Sequence, residues 1–145
     1  MRRWTYDDGG RAAAGYKGDA GGCVTRAIAI AIGLPYQAVY DGLNTMAVGE
    51  RRSSRRRGKS SARLGVYTPT IRKYIRSLGW SWRPVMGIGA GCTMHANPVE
   101  LPPGRLILSL SRHIAAAIDG VIHDTSDPTR NGTRCVYGYW HKPTN

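Results

Sequence analysis

Cys23, His113 and Asp124 are the residues whose types and settings could perform covalent chemistry. Cys23 follows Gly21-Gly22 and opens the small, apolar decapeptide CVTRAIAIAI, which Gly33 closes. A thiol at a helix start lies near unpaired N–H groups and the positive end of the helix dipole, and both lower its pKa toward the nucleophilic thiolate. His113 and Asp124 share the segment HIAAAIDGVIHDT, whose Asp119-Gly120 pair is a preferred type I′ hairpin turn because both central positions need positive φ. That turn sets a register of Ile118 opposite Val121, Ala117 opposite Ile122, Ala116 opposite His123 and Ala115 opposite Asp124. Alternation then groups His113, Ala115 and Ala117 with Ile122, Asp124 and Ser126, with Asp124 diagonal to His113 and His123 on the other face. A carboxylate that fixes an imidazole tautomer makes a general base, and a thiol beside it completes a Cys/His/Asp triad able to attack a carbonyl.

Taken singly, each residue has a plainer role: Cys23 as a small buried hydrophobe, His113 as a hydrogen-bonded strand-edge residue. The glycine context and the hairpin register, taken together, favour the catalytic reading.

GGCVTRAIAIA resembles the cysteine-bearing helix of the papain-like cysteine peptidases in the broad sense, including the bacteriocin-processing peptidases and the ovarian-tumour deubiquitinases. Cys23, Val24, Thr25, Arg26 and Ala27 are similar to the deubiquitinase pattern of a cysteine followed by apolar-x-Arg-Ala. SRHIAAAIDGVIHDTSDP resembles the family's histidine strand followed by the strand carrying the acid. The pair of motifs is also similar to small proteins of phages and bacteria. The resemblance implies a peptide or protein substrate cleaved at a peptide or isopeptide bond, with no cofactor and no metal. It assigns nucleophile, base and acid to Cys23, His113 and Asp124, with Asp127 of the following Asp-Pro as the alternative acid. Papain-like peptidases carry an oxyanion-stabilising glutamine six residues before the cysteine, where this chain has Lys17. Backbone N–H groups around Gly22 and Cys23 are therefore the principal oxyanion donors, with Lys17 second.

The elements that must position these residues follow from periodicity. Cys23 to Ile32 fits a buried helix with a glycine just past its end, although its alternation also permits a strand. Pro35 to Leu43 places Tyr36, Val39, Tyr40 and Leu43 on one helical face. Thr68-Pro69 offers an N-cap and first turn to a helix carrying Ile71, Tyr74, Ile75 and Leu78. After Trp80 the pattern turns strand-like, in WSWRPV, RLILSL, HIAAAI, VIHDT and CVYGYW. Helices first and strands later predict an α+β fold, with an antiparallel sheet packed on N-terminal helices in one domain over 1–145.

The chain has 145 residues, suited to a single domain, and a net charge of +12. Half of that excess lies in ERRSSRRRGKSSAR, where Arg51, Arg52, Arg55, Arg56, Arg57, Lys59 and Arg63 face only Glu50. This composition predicts a mobile loop at 49–64, either a solvated insertion or a grip on nucleic acid or an acidic protein. The second use defines a rival reading, a basic binding module without catalysis. No apolar run approaches the ~20 residues of a membrane span, and no secretory leader is visible, so the expected compartment is the cytoplasm, bacterial if the chain is phage-encoded. There Cys23, Cys92 and Cys135 would all remain free thiols. Cys92-x-x-His95 with Cys135-x5-His141 offers a loose alternative zinc set. GIGAG at 87–91 lacks the strand-to-helix setting of a phosphate loop. Tyr139 and Trp140 are candidate liners of a substrate cleft.

Overall fold

The structure is a computed structural model that describes residues 2–16, 22–50, 60–62, 65–87, 89 and 91–143. Three helices and a six-stranded mixed sheet make an α+β fold: β1 (Trp4–Tyr6), α1 (Cys23–Ile32), α2 (Tyr36–Ala47), α3 (Thr68–Ser77), β2 (Ser81–Pro84), β3 (Arg105–Leu110), β4 (His113–Ile118), β5 (Val121–Asp124) and β6 (Gly138–His141). The sheet order is β1-β5-β4-β3-β6-β2. The ladders are antiparallel except at one edge, where β1 runs parallel to β5 and pairs Trp4 with Ile122 and Tyr6 with Asp124. The expected purely antiparallel sheet is thus corrected to a mixed one. WTY is too short to show a strand period, and its pairing joins positions more than a hundred residues apart.

Helix α1 ends at Gly33, whose φ of 81° lets its N–H turn back to the carbonyl of Ala29 at 2.9 Å. Helix α2 begins after Pro35 and continues to Ala47, past the expected end at Leu43. It does so through Gly42, where a Cβ would lie 2.6 Å from the Tyr74 ring, so a residue without a side chain lets α2 and α3 approach closely. The expected strand CVYGYW is shortened to Gly138–His141, and Cys135 makes only an isolated bridge with His95.

Each face of the sheet buries its own core. The face bearing Ile107, Ala116 and Trp140 packs on Ala27, Ile28, Val39, Leu43, Ile71 and Ile75 of the helices. Ile28 and Ile107 are fully buried, each stabilising the fold by roughly 1.5–3 kcal/mol. The opposite face bears Leu106, Leu108, Ala115, Ala117 and Ile122, and is covered by Ala96 and Leu101 of the glycine- and proline-rich connection. That connection is tied down by Ala96 N–H to the Arg134 carbonyl at 2.8 Å, by Val136 N–H to the Met94 carbonyl at 2.9 Å, and by a disulfide between Cys92 and Cys135.

Glu50 and Ser60, at the two ends of residues 51–59, are joined by a clasp. The Glu50 carboxylate accepts the Ser60 N–H at 2.5 Å and the hydroxyls of Ser60 and Thr70. Beyond the clasp, the Asn44 side chain accepts the Ala62 N–H at 2.9 Å, and Ala62 is buried against the helices. Arg51, Arg52, Arg55, Arg56, Arg57, Lys59 and Arg63 lie outside the described residues.

Candidate active site

The three residues singled out by type and spacing meet where the N-terminus of α1 abuts the ends of β4 and β5. The hairpin forms with Asp119 and Gly120 at φ of 49° and 84°, and pairs Ile118 with Val121, Ala117 with Ile122 and Ala116 with His123, as the turn chemistry dictates. The diagonal relation follows: His113 Nε2 hydrogen-bonds Asp124 Oδ2 at 2.6 Å. His123 faces elsewhere, its Nδ1 lying 3.4 Å from Asp7 Oδ2.

Cys23 is the first residue of α1, and Gly22 serves as N-cap with no side-chain capping bond. The first-turn N–H groups are thus not taken up by a capping side chain, and they concentrate the positive end of the helix dipole at the thiol. Burial pushes the Cys23 thiol up, but the hydrogen bond and charge of His113, the Ile114 N–H and the Arg26 charge outweigh it and hold the thiol below its ordinary value. His113 is pushed up to about 9, first by its hydrogen bond to Asp124 and then by that to Cys23, against burial. Burial would raise the Asp124 carboxyl, yet it is held low by the His113 hydrogen bond, the Thr125 N–H at 2.7 Å and the charges of His113 and Arg26. All three shifts favour an ion pair, thiolate beside imidazolium with an ionised carboxylate behind.

Arg26 belongs to this network, a role not read from the sequence. It lies one turn beyond Cys23 on α1, and its Nη2 reaches Asp124 Oδ1 at 3.3 Å. Its side chain is 13% exposed, and that of Asp124 4%, so the pair is largely desolvated. The available signal was the i, i+3 spacing of a cation from a nucleophile on one helix.

Asp127 is not the carboxylate at His113: its Oδ1 accepts the Thr129 N–H at 2.8 Å and so caps a turn. Gly22 sits buried at the helix start, where the oxyanion reading needs it, whereas Lys17 lies outside the described residues. The expectation of three free thiols is corrected, since Cys92 and Cys135 are joined and only Cys23 is free. That expectation came from assuming a reducing compartment, but the Cα atoms stand 5.8 Å apart, within disulfide reach. The same bond removes the alternative zinc set, because both sulfurs are used and His95 Nδ1 bonds Glu100 at 2.9 Å. Among the described residues, no group of three or more His, Cys, Asp or Glu is placed to hold a metal ion. No described helix is long and apolar enough to cross a membrane.

A cavity of about 340 Å³ opens at Cys23 and His113, walled by Val24, Val66, Ile71 and Ile114. It shares Thr68, Ile71, Ser109 and Ile114 with a neighbouring cavity of about 250 Å³ that ends against Trp82 and Trp140. Trp140 thus borders the neighbouring cavity. Tyr139 packs in the core of the other face.

No family model, curated protein or solved structure matches the chain.

Proposed function

We propose that the protein is a papain-like thiol hydrolase that cleaves a peptide or isopeptide bond. The observation that carries this reading is His113 held by Asp124 at 2.6 Å while it borders one cavity with Cys23 at the start of α1. A nucleophile-bearing helix packed on a sheet whose neighbouring strands present the base and the acid supports the papain-like assignment over a generic α+β one. In this mechanism the Cys23 thiolate attacks the substrate carbonyl carbon, and the carbonyl π electrons move onto oxygen. The first-turn N–H groups of α1 stabilise that oxyanion. Collapse breaks the C–N bond, and the His113 imidazolium gives its proton to the departing amine, leaving a thioester and neutral imidazole. His113 then takes a proton from water, which attacks the thioester and regenerates the thiolate. Asp124 stays ionised throughout and keeps the imidazole oriented.

The experiment is site-mapped labelling with limiting iodoacetamide at neutral pH, alongside turnover of a fluorogenic peptide library. Rapid labelling of Cys23, with turnover lost in Cys23→Ser, is the expected result. A Cys23 no faster than a denatured-state thiol, with no turnover, would overturn the hydrolase.

A further inference from the structure

The catalytic groups lie between two depressions of opposite character. On the Cys23 side is the more apolar cleft that runs from His113 to Trp82 and Trp140, which Arg112 also borders. On the far side of His113 is a polar depression of about 570 Å³, walled by Arg112, Arg130, Arg134, Ser111, Ser126 and Asp127 and not touched by Cys23. Three guanidiniums there meet one carboxylate among the lining residues, with Asp124 behind His113. That carboxylate, Asp127, is occupied in capping Thr129, and among the described residues none of the three arginines is within ion-pair distance of an acid.

The arginines divide the work. Arg134 is half-buried and bonds the carbonyls of Pro128 and Ser111, so it staples the turn after β5 to the turn before β4. Burial and the nearby Arg130 charge push its guanidinium below its ordinary value, outweighing the opposing pull of Tyr137 and Asp124. Arg112 and Arg130 are exposed and sit at the tips of those turns with φ of 55° and 51°. Glycine or asparagine takes such left-handed positions at least cost. Instead both tips carry long cations aimed at one basin.

The chemistry of cleavage assigns sides to the two depressions. The departing amine takes its proton from His113, so the leaving group lies against the imidazole, whereas the acyl group stays on Cys23. The basin that touches His113 alone is on the leaving-group side, and the apolar cleft is on the acyl side. We propose that the substrate carries a carboxylate on the leaving-group side of the scissile bond, seated between Arg112 and Arg130, with an apolar side chain in the cleft on the acyl side. The assignment of sides rests on the hydrolase reading; the anion site rests on the arginines themselves. The carboxylate belongs either to an acidic side chain or to a chain terminus.

The test separates these points by measuring binding apart from cleavage. Fluorescein-labelled peptides bearing Leu, Gly and then Glu, Gln or Lys, all C-terminally amidated, are titrated into Cys23→Ser protein by anisotropy. A fourth peptide ends at that position with a free α-carboxylate. The Glu peptide or the free-acid peptide should bind at least about 10-fold tighter than the Gln amide, as charge-assisted bidentate pairing gives. Whichever of the two binds tighter names the source. The preference should vanish in Arg112→Gln/Arg130→Gln, and it should narrow in the otherwise unaltered protein as salt rises from about 50 mM to about 500 mM. Binding of both the Glu peptide and the free-acid peptide no tighter than that of the Gln amide, or a preference that survives the double variant, would overturn the proposal. The same peptides are then offered to the wild-type protein. Preference without cleavage would keep the anion site and sink the hydrolase, while cleavage without preference would do the reverse.

Discussion

Arg26, one helical turn beyond Cys23, holds Asp124 Oδ1 at 3.3 Å, so the helix that begins at Cys23 also grips the buried carboxylate. Asp124 is 3% exposed and takes its second cation from His113. A buried carboxylate with two cationic partners is both an orienting group and a structural anchor.

Removing the guanidinium should therefore register in stability as well as in turnover. Arg26→Gln leaves Asp124 with His113 and the Thr125 N–H, and should lower unfolding stability by about 1–3 kcal/mol. Chemical denaturation measures that loss. An unchanged midpoint would mean the pair contributes nothing.

Asp124→Asn should slow acylation by at least about 10-fold, because an amide neither supports the imidazolium nor fixes its tautomer as the carboxylate does. It should also destabilise the fold by stranding Arg26, so folding and kinetics are compared in the same preparation. His123→Ala is the control. Its contact with Asp7 is a partly exposed pair at 3.4 Å, so the cost should stay below about 1 kcal/mol with Cys23 labelling unchanged.

The pH dependence has a defined sign. The folded-state value of His113, about 9, lies above its ordinary 6.5. Folding thus favours the protonated ring, and this contribution is complete below about 6.5 and lost as pH rises through about 9. Denaturation midpoints should fall across that window in the wild type and fall less in His113→Gln. Cys23 moves oppositely: its depressed value predicts iodoacetamide labelling that persists below the ordinary thiol range near 8.5. His113→Ala should move that inflection upward, and an unmoved profile would break the pairing.

Thiol counting tests the disulfide. One cysteine should be alkylated in the denatured, unreduced protein and three after reduction. The bond closes a separation of 43 residues, so reduction should cost about 2–4 kcal/mol of stability while leaving Cys23 the most reactive thiol. Three reactive thiols without reductant would contradict it.

The His113–Asp124 pairing was legible because its determinants are local. Asp119-Gly120 fixes a turn, the turn fixes a register, and the register brings residues 113 and 124 together. The start of α1 was equally plain from Gly22, Cys23 and Gly33. What escaped was non-local. Arg26 finds Asp124 across 98 positions, and β1 finds β5 from the far end of the chain. The β1 pairing leaves no period or spacing to read, and Arg26 left only its i, i+3 separation from Cys23. Cys92 and Cys135 were misjudged because a presumed compartment stood in for geometry. The arginine basin arises from two turns that meet only once the sheet is formed.

The clasp at Glu50 carries a consequence for how the chain can vary. Residues 50 and 60 lie within hydrogen-bonding distance, so the segment between them has its two ends fixed close together. The cost of closing such an excursion rises only with the logarithm of its length. Nine intervening positions can therefore be lengthened, shortened or recoded while the clasp keeps both ends in place. Just past the clasp, Gly65 and Val66 border the Cys23 cavity. Changes of length or sequence among residues 51–59 are thus expected to leave the clasp and the cavity at Cys23 in place.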